Sequence, residues 1–270
     1  MDLIFNKYQG TGNDFVMIDN RSGWVDRSEQ DLFASWCDRR FGIGADGVIL
    51  LQAHPDYAFE MVYINADGKE GSMCGNGGRC AVRFAQALGL VAAEMAFEFL
   101  AVDGPHQAQI TGELVHLHMI DAGLPQKALS GWYLHTGSPH HLELVNGLST
   151  FPVVDAGHAL RWHANYAPGG TNVNFIEVTG DDSIHVRTFE RGVEAETFSC
   201  GTGVTAAALL IDYLLPTTEI RSINIQTAGG LLTVNFRRES TGYTQIVLIG
   251  PAKKVFEGVV ALNREKNMIF

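Results

Sequence analysis

The sequence predicts an α+β protein built from two pseudosymmetric halves, each a mostly antiparallel sheet wrapped around a central helix. Three observations support this. Short alternating or β-branched runs far outnumber helical patterns. The pattern Cys-Gly-x-Gly occurs twice, at Cys74 and Cys200, 126 positions apart, and each copy opens a helix of small residues. The segment beginning Gly10-Thr-Gly-Asn-Asp-Phe resembles the one beginning Thr136-Gly-Ser-Pro-His-His at the same offset of 126. One offset recurring in two separate places points to an internal duplication.

In chain order, strands are expected at Leu3–Phe5, Phe15–Ile18, Gly47–Leu51, Phe59–Ile64, Ala96–Leu100, Gln107–Ile110 and Leu114–Met119. Later strands fall at Leu142–Val145, Phe175–Thr179, Ser183–Arg187, Ile223–Gln226, Leu231–Phe236, Thr244–Ile249 and Lys254–Val260. A first helix is predicted over Ser28–Arg39, with Ser28 as N-cap and Asp31 near its positive end. The central helices are predicted over Gly77–Leu88, stopping at Gly89, and Gly203–Leu215, stopping before Pro216. The second is apolar on nearly every face and should be buried all round. Turn-rich Ala122–Ser130 sets the boundary. The halves are therefore expected at 1–122 and 123–250, with a final strand at about 251–270 free to return to the first.

A chain of 270 residues can form one large domain or two of about 130 residues each. Thirty acidic residues against nineteen Lys and Arg give a net charge of −11. That argues against nucleic acid as a partner, because a phosphate backbone needs concentrated cations. It leaves room for a small anion, which one or two local cations can hold. No apolar run reaches the roughly 18 residues of a membrane span, and the amino terminus lacks the pattern of a secretory signal. Four scattered cysteines fit reduced thiols in a cytoplasm better than a disulfide scaffold.

Cys74 and Cys200 each stand where a helix is about to begin. The first N–H groups of a helix lack intrahelical partners and carry positive potential. A thiol there ionises more readily and can serve as base or nucleophile. The adjoining glycines let backbone approach a ligand, and the free N–H groups can hold a carboxylate. If the halves face each other, two thiols flank one cleft, an arrangement suited to taking a proton from one face of a carbon and returning it on the other.

Plainer roles compete for these residues. Cys37 and Cys80 are expected to be small buried hydrophobes. The spacing of Cys74 and Cys80 is not that of a zinc knuckle, so no metal site is expected. A Cys74–Cys200 bridge would be an oxidation product that ends activity. Asn13, Asn65, Asn76, Asn172 and Ser138 lie in glycine-rich or turn contexts, where asparagine often serves the backbone alone. Taken alone, Glu190-Arg191 reads as an exposed surface pair. His140 and His141 follow a turn and are expected to be hydrogen-bonded structural residues. His116 and His118 share a strand face without metal spacing, and no phosphate-loop motif occurs.

In order along the chain, Gly10-Thr-Gly-Asn-Asp-Phe, Asn65-Ala-Asp-Gly, Met73-Cys-Gly-Asn-Gly-Gly-Arg-Cys, Gly137-Ser-Pro-His, Thr171-Asn-Val-Asn-Phe, Glu190-Arg-Gly and Ser199-Cys-Gly-Thr-Gly-Val-Thr-Ala resemble the motifs of diaminopimelate epimerases. The resemblance extends over most of the chain. It implies interconversion of LL- and meso-2,6-diaminopimelate in lysine and peptidoglycan precursor synthesis, with no pyridoxal phosphate and no metal. It implies Cys74 and Cys200 as acid and base, and Gly75, Asn76, Gly201 and Thr202 as donors to the reacting carboxylate. Substrate contacts fall on Asn13, Asn65, Asn172, Glu190 and Arg191. Gly47 and Ser138 occupy two further substrate positions, where glutamine and asparagine are common in the family. One extra residue lies between Arg191 and Cys200 relative to the common spacing. The implied partner is a small molecule, with no nucleic acid and no membrane; a homodimer is compatible with the resemblance.

Two other functions would use these residues. A proline or hydroxyproline racemase would share the thiol pair without a distal carboxylate clamp, and Glu190-Arg191 with Asn65 argue against it. A non-catalytic binding protein for a dicarboxylic amino acid would keep the pocket, and retention of both cysteines argues against that. A thiol redox protein would call for Cys-x-x-Cys, which is absent.

Overall fold

The computed structural model describes residues 2–216 and 220–262. The first half runs β1 (Asp2–Gly10), β2 (Asn13–Asp19), α1 (Gln30–Cys37), β3 (Gly47–Gln52), β4 (Glu60–Asn65), α2 (Gly75–Ala87), β5 (Phe97–Ala101), β6 (Gly104–Thr111) and β7 (Leu114–His118). Short β8 (Ala122–Gly123) and β9 (Gln126–Ala128) lead to β10 (Gly131–His135), β11 (Pro139–Leu144), α3 (Val153–Arg161), β12 (Asn172–Gly180), β13 (Ser183–Glu190) and β14 (Ala195–Thr197). Then come α4 (Gly201–Leu214), β15 (Ile220–Thr227), β16 (Gly230–Arg238), β17 (Gly242–Pro251) and β18 (Lys253–Ala261).

The pairing pattern occurs twice. β1 pairs antiparallel with β2, β2 parallel with β3, β3 antiparallel with β4 and β4 parallel with β5; β5, β6 and β7 then form an antiparallel meander. The series β10, β11, β12, β13, β15, β16 and β17 repeats those senses in the same order. In both series a helix lies between the strands of each parallel pair, supplying the crossover that parallel strands need. The two series join where β7 pairs antiparallel with β17. β18 pairs with β1 from Asp2↔Ala261 to Gln9↔Lys253, and β9 takes the matching place beside β10. Residues 263–270 of the expected final strand lie outside the described residues.

Each sheet buries one face on its central helix. α2 packs Ala81, Val82, Phe84 and Ala85 against Phe15, Met17, Ile49, Phe99 and Leu117. α4 is enclosed by Leu142, Ile176, Val186, Ile223, Val234 and Ile246, the all-round burial its composition predicts. α1 covers the first sheet's other face with Phe33 and Trp36, and α3 covers the second's beside Phe175 and Phe189. Fully burying one such side chain contributes about 1.5–3 kcal/mol. These contacts fix where the central helices begin.

The boundaries depart from expectation in informative ways. Ser28 is not a cap: α1 starts at Gln30, and the Ser28 hydroxyl donates instead to Asp26 Oδ1 at 2.8 Å. Both central helices begin two residues earlier than predicted, which makes Cys74 and Cys200 themselves the N-caps. α3 has no counterpart among the expected helices. Its Gly157 marks close packing rather than a break, since a Cβ there would lie 2.4 Å from Phe189 Cβ.

Candidate active site

The N-termini of α2 and α4 meet. A Cβ on Gly75 would lie 3.5 Å from Gly201 Cα, one on Gly201 would lie 3.2 Å from Gly75 Cα, and both would sit 3.1 Å from Leu248 Cδ2. Side chains at these first-turn positions would hold the helices apart. Two positive helix ends therefore converge on one cleft of about 1520 Å³, lined by both cysteines. Such a convergence is unfavourable empty and favourable around an anion.

Cys74 Sγ accepts from the backbone N–H of Gly77 at 3.4 Å and lies 3.6 Å from Asn13 Oδ1. The Asn13 amide is fixed, because its Nδ2 donates to Asp46 Oδ2 at 2.6 Å and its Oδ1 accepts from Asn76 Nδ2 at 3.3 Å. Its carbonyl thus faces the thiol, and S–H is the donor. Asn76 Nδ2 also donates to Ser199 O at 2.8 Å, tying the start of α2 to the residue before Cys200. Burial pushes the Cys74 thiol up to about 11 against the pull of the Gly77 N–H, and the Glu190 carboxylate adds to the rise.

Cys200 Sγ lies 3.5 Å from Thr202 Oγ1, which is 2.9 Å from His140 Nε2. His140 Nδ1 is 3.1 Å from Asn174 Nδ2. That amide too is fixed: Nδ2 donates to His141 O at 3.1 Å, and Oδ1 accepts from Thr188 Oγ1 at 2.9 Å. His140 Nδ1 is therefore an acceptor, Nε2 carries the proton and donates to Thr202, and the threonine hydroxyl is left to donate to Cys200. Burial holds the His140 pKa down at about 3, so the ring is neutral. Burial also pushes the Cys200 thiol far up, with the Glu190 charge acting the same way.

Asn13, Asn65, Gly75, Asn76, Ser138, Asn172, Glu190, Arg191, Gly201 and Thr202 all line this cleft. Gly47 does not. It opens β3 between Phe15 and Asn65, and a Cβ there would meet Tyr63 Cε2 and Ile64 O at 2.6 Å. The glycine, expected at a substrate position, makes room for Tyr63, which lines the cleft. Among the described residues Glu190 and Arg191 do not form an ion pair: Glu190 is half-buried in the cleft wall, and Arg191 is exposed at the cleft. Glu190 Oε2 accepts from Thr197 Oγ1 at 2.9 Å, and burial raises its carboxyl pKa. The Arg191 backbone N–H donates to Asn172 Oδ1 at 2.8 Å, and among the described residues its guanidinium has no ion-pair partner. A charged wall that no sequence motif marks completes the cleft: Lys7 pairs with Asp14 at 2.8 Å, and Arg39 with Asp14 and Asp46, both at 2.7 Å. Burial alone would raise Asp14, but hydrogen bonds from Arg39 and Lys7 outweigh it and hold the carboxyl at about 2. All four cysteines are free thiols. Among the described residues no group of three or more His, Cys, Asp or Glu could hold a metal ion.

Two duplicated halves around paired helices define a fold shared with other solved proteins. A Bacillus anthracis phenazine biosynthesis protein of the PhzF family matches with a TM-score of 0.77 at 17% identity, over 97% of this chain and 100% of that one. A probable proline racemase from Agrobacterium radiobacter matches with a TM-score of 0.73 at 15% identity, over 98% and 95%. At these identities the likeness is one of fold. The sequence narrows it further. The diaminopimelate epimerase family model matches residues 5–121 and 132–255, and the diaminopimelate epimerase of Flavobacterium psychrophilum is 44% identical over 255 residues, 94% of this chain and 98% of that protein. The chain belongs to the diaminopimelate epimerase family and is an isomerase.

Proposed function

We propose that this enzyme interconverts LL- and meso-2,6-diaminopimelate by passing a proton between the two faces of one α-carbon, with Cys74 and Cys200 as the acid–base pair. The observation that carries this is the meeting of α2 and α4 at Gly75 and Gly201, which brings a cysteine N-cap from each half to one cleft. An α-proton is a very weak acid. One thiolate takes it while the opposite thiol returns a proton to the other face, and the charge growing on the adjoining carboxylate is met by N–H groups of both helix starts. One sulfur must be ionised and one protonated, so the pair titrates as a unit. Hydrogen bonding to the sulfur favours the thiolate at both sites, through the Thr202 hydroxyl at Cys200 and through the Gly77 N–H at Cys74. A reversible reaction uses both states.

At the distal centre, Arg191 would clamp the carboxylate as a fork and Glu190 would take the ammonium, with Asn65, Asn172 and Ser138 beside them. The cleft exceeds the roughly 300–1,000 Å³ of most small-molecule pockets. The first half with β18 and the second half, 123–250, would close on substrate and exclude water as the thiols approach. The enzyme would work in the cytoplasm without pyridoxal phosphate. Proton NMR of LL-diaminopimelate with reduced protein in D2O, no pyridoxal phosphate added, tests the reading. Loss of the α-proton signal with appearance of the meso isomer is expected. Tight binding without exchange would favour a binding protein, and exchange on proline a racemase.

A further inference from the structure

Tyr63 lies on β4, and two glycines on the flanking chain make the place for its ring. Strand alternation turns Met61, Tyr63 and Asn65 to one face of the sheet, and Tyr63 packs there against the core around α2. On the β3 side, a Cβ at Gly47 would lie 2.6 Å from Tyr63 Cε2 and 3.2 Å from its Oη. On the other side, the Gly71 N–H donates to Tyr63 O at 2.9 Å. A Cβ there would lie 2.8 Å from Cδ1 and Cε1 of the ring and 2.9 Å from Asn65 Nδ2. Phe15 of β2, the parallel partner of Gly47, meets the ring edge to face with centroids 5.9 Å apart. The apolar body of the side chain is thus packed on both edges and against a second ring. Its one polar atom is left over. Among the described residues the hydroxyl has no hydrogen-bond partner, and it is not sealed in the core. A tyrosine held this firmly normally satisfies its O–H, and Tyr63 lines the cleft, so the partner belongs there. Burial raises the phenol pKa and the charges of Cys74 and Glu190 raise it further, so at neutral pH the group is a donor.

We propose that the Tyr63 hydroxyl is a specificity contact at the distal centre of the substrate, donating to the carboxylate that does not react, from the half opposite the Arg191 fork. The proposal rests on the diaminopimelate reading above. Three points put the hydroxyl at that end. The ring and the Asn65 amide both lie over Gly71, and Asn65 belongs to the distal set of contacts. The reacting carboxylate is met instead by N–H groups at the starts of α2 and α4. A carboxylate offers about four acceptor sites, of which a guanidinium fork takes two, so a donor from across the cleft has sites left to fill. A clamp with a member in each half grips fully only once the halves close, which ties recognition of the distal end to closure.

Tyr63→Phe removes the hydroxyl and keeps the ring, so steady-state kinetics with LL-diaminopimelate test the contact directly. KM should rise about tenfold or more, the scale of a hydrogen bond to a charged group, with kcat unchanged. An unchanged KM overturns the proposal. So does a fall in kcat at constant KM, which would put the hydroxyl at the reacting centre. The melting temperature of Tyr63→Phe should match wild type, because no protein group loses a partner; a clear drop would mean that the hydroxyl is bonded within the fold, and overturns the proposal. L-Lysine is the substrate without its distal carboxylate. Its inhibition of wild type and of Tyr63→Phe should be equal, and weaker inhibition of the variant would show that the hydroxyl serves another group. A second variant keeps the hydroxyl and moves it: in Gly47→Ala the added Cβ displaces the ring. That substitution should raise KM in the wild-type background and add little in Tyr63→Phe, whereas additive effects overturn the proposal. Failure of the diaminopimelate reading would show separately, as a wild type that does not epimerise the compound.

Discussion

At the first helix start, Cys74 meets the Gly77 N–H and the carbonyl of Asn13, with the Arg79 cation in the same helix; at the second, Cys200 meets the Thr202 hydroxyl, aimed by His140 and Asn174. The backbones correspond strand for strand and Glu190 acts on both sulfurs, while the side chains bonded to each sulfur differ. Duplication therefore supplied the geometry, two N-caps on one cleft. The surroundings diverged, as they must if only one of the substrate's two centres reacts and the other has to be held.

The largest effect asks whether the two starts are equivalent in necessity. Cys74→Ala and Cys200→Ala should each fold as wild type by circular dichroism and each lose epimerisation by at least about 10³-fold, the scale of general acid–base catalysis. Near wild-type turnover in either would sink the two-base reading. Next is the proposed clamp, whose Glu190 and Arg191 both come from the second half. Arg191→Lys keeps the charge but not the fork, and should raise KM by about 10–100-fold, the scale of charge-assisted hydrogen bonds. Unchanged KM and kcat would reject the clamp. Thr202→Val then probes the asymmetry itself. Without the hydroxyl, the Cys200 alkylation midpoint should rise by about one pH unit and kcat fall about tenfold, with Cys74 unmoved. Equal shifts at both cysteines would mean that the helix dipoles alone govern them.

What the sequence made legible was whatever chemistry ties to residue type and chain offset. The paired Cys-Gly-x-Gly starts, the glycines of the first turns and the cleft asparagines all belong here. What it hid depends on partners far along the chain. Arg79 reads as an ordinary helix cation until Gly10 and Gly250 are seen to enclose it. Asn174 looks like a repeat of Asn172, yet it fixes a histidine on the neighbouring strand. Gly47 shows the limit of transferring a position by motif: the match carries the place in the chain, but the space where a longer side chain would project is occupied by Tyr63. α3 opens with two β-branched residues and contains a glycine, so its local preference opposes a helix, and contact with β12 and β13 overrides it.

The smallest effect sets a helix end against the helix starts. Cys37 closes α1, where the backbone presents carbonyls, not N–H groups, and where it packs with Phe33 and Trp36. Burial pushes its thiol up to about 11, with Lys7 pulling the other way. In the unfolded chain a thiol titrates near about 8.5. Between those values the native state holds a proton that the unfolded state has lost, so stability falls as pH rises. The contribution of the neutral thiol is complete below about pH 8.5 and is lost as pH rises through about 11. Cys37→Ala removes the group that titrates, so its melting temperature should fall less steeply than wild type between pH 8 and 10.5, by about 1–4 °C. An equally steep fall in the variant would mean that the Cys37 thiol ionises as freely in the fold as in the open chain.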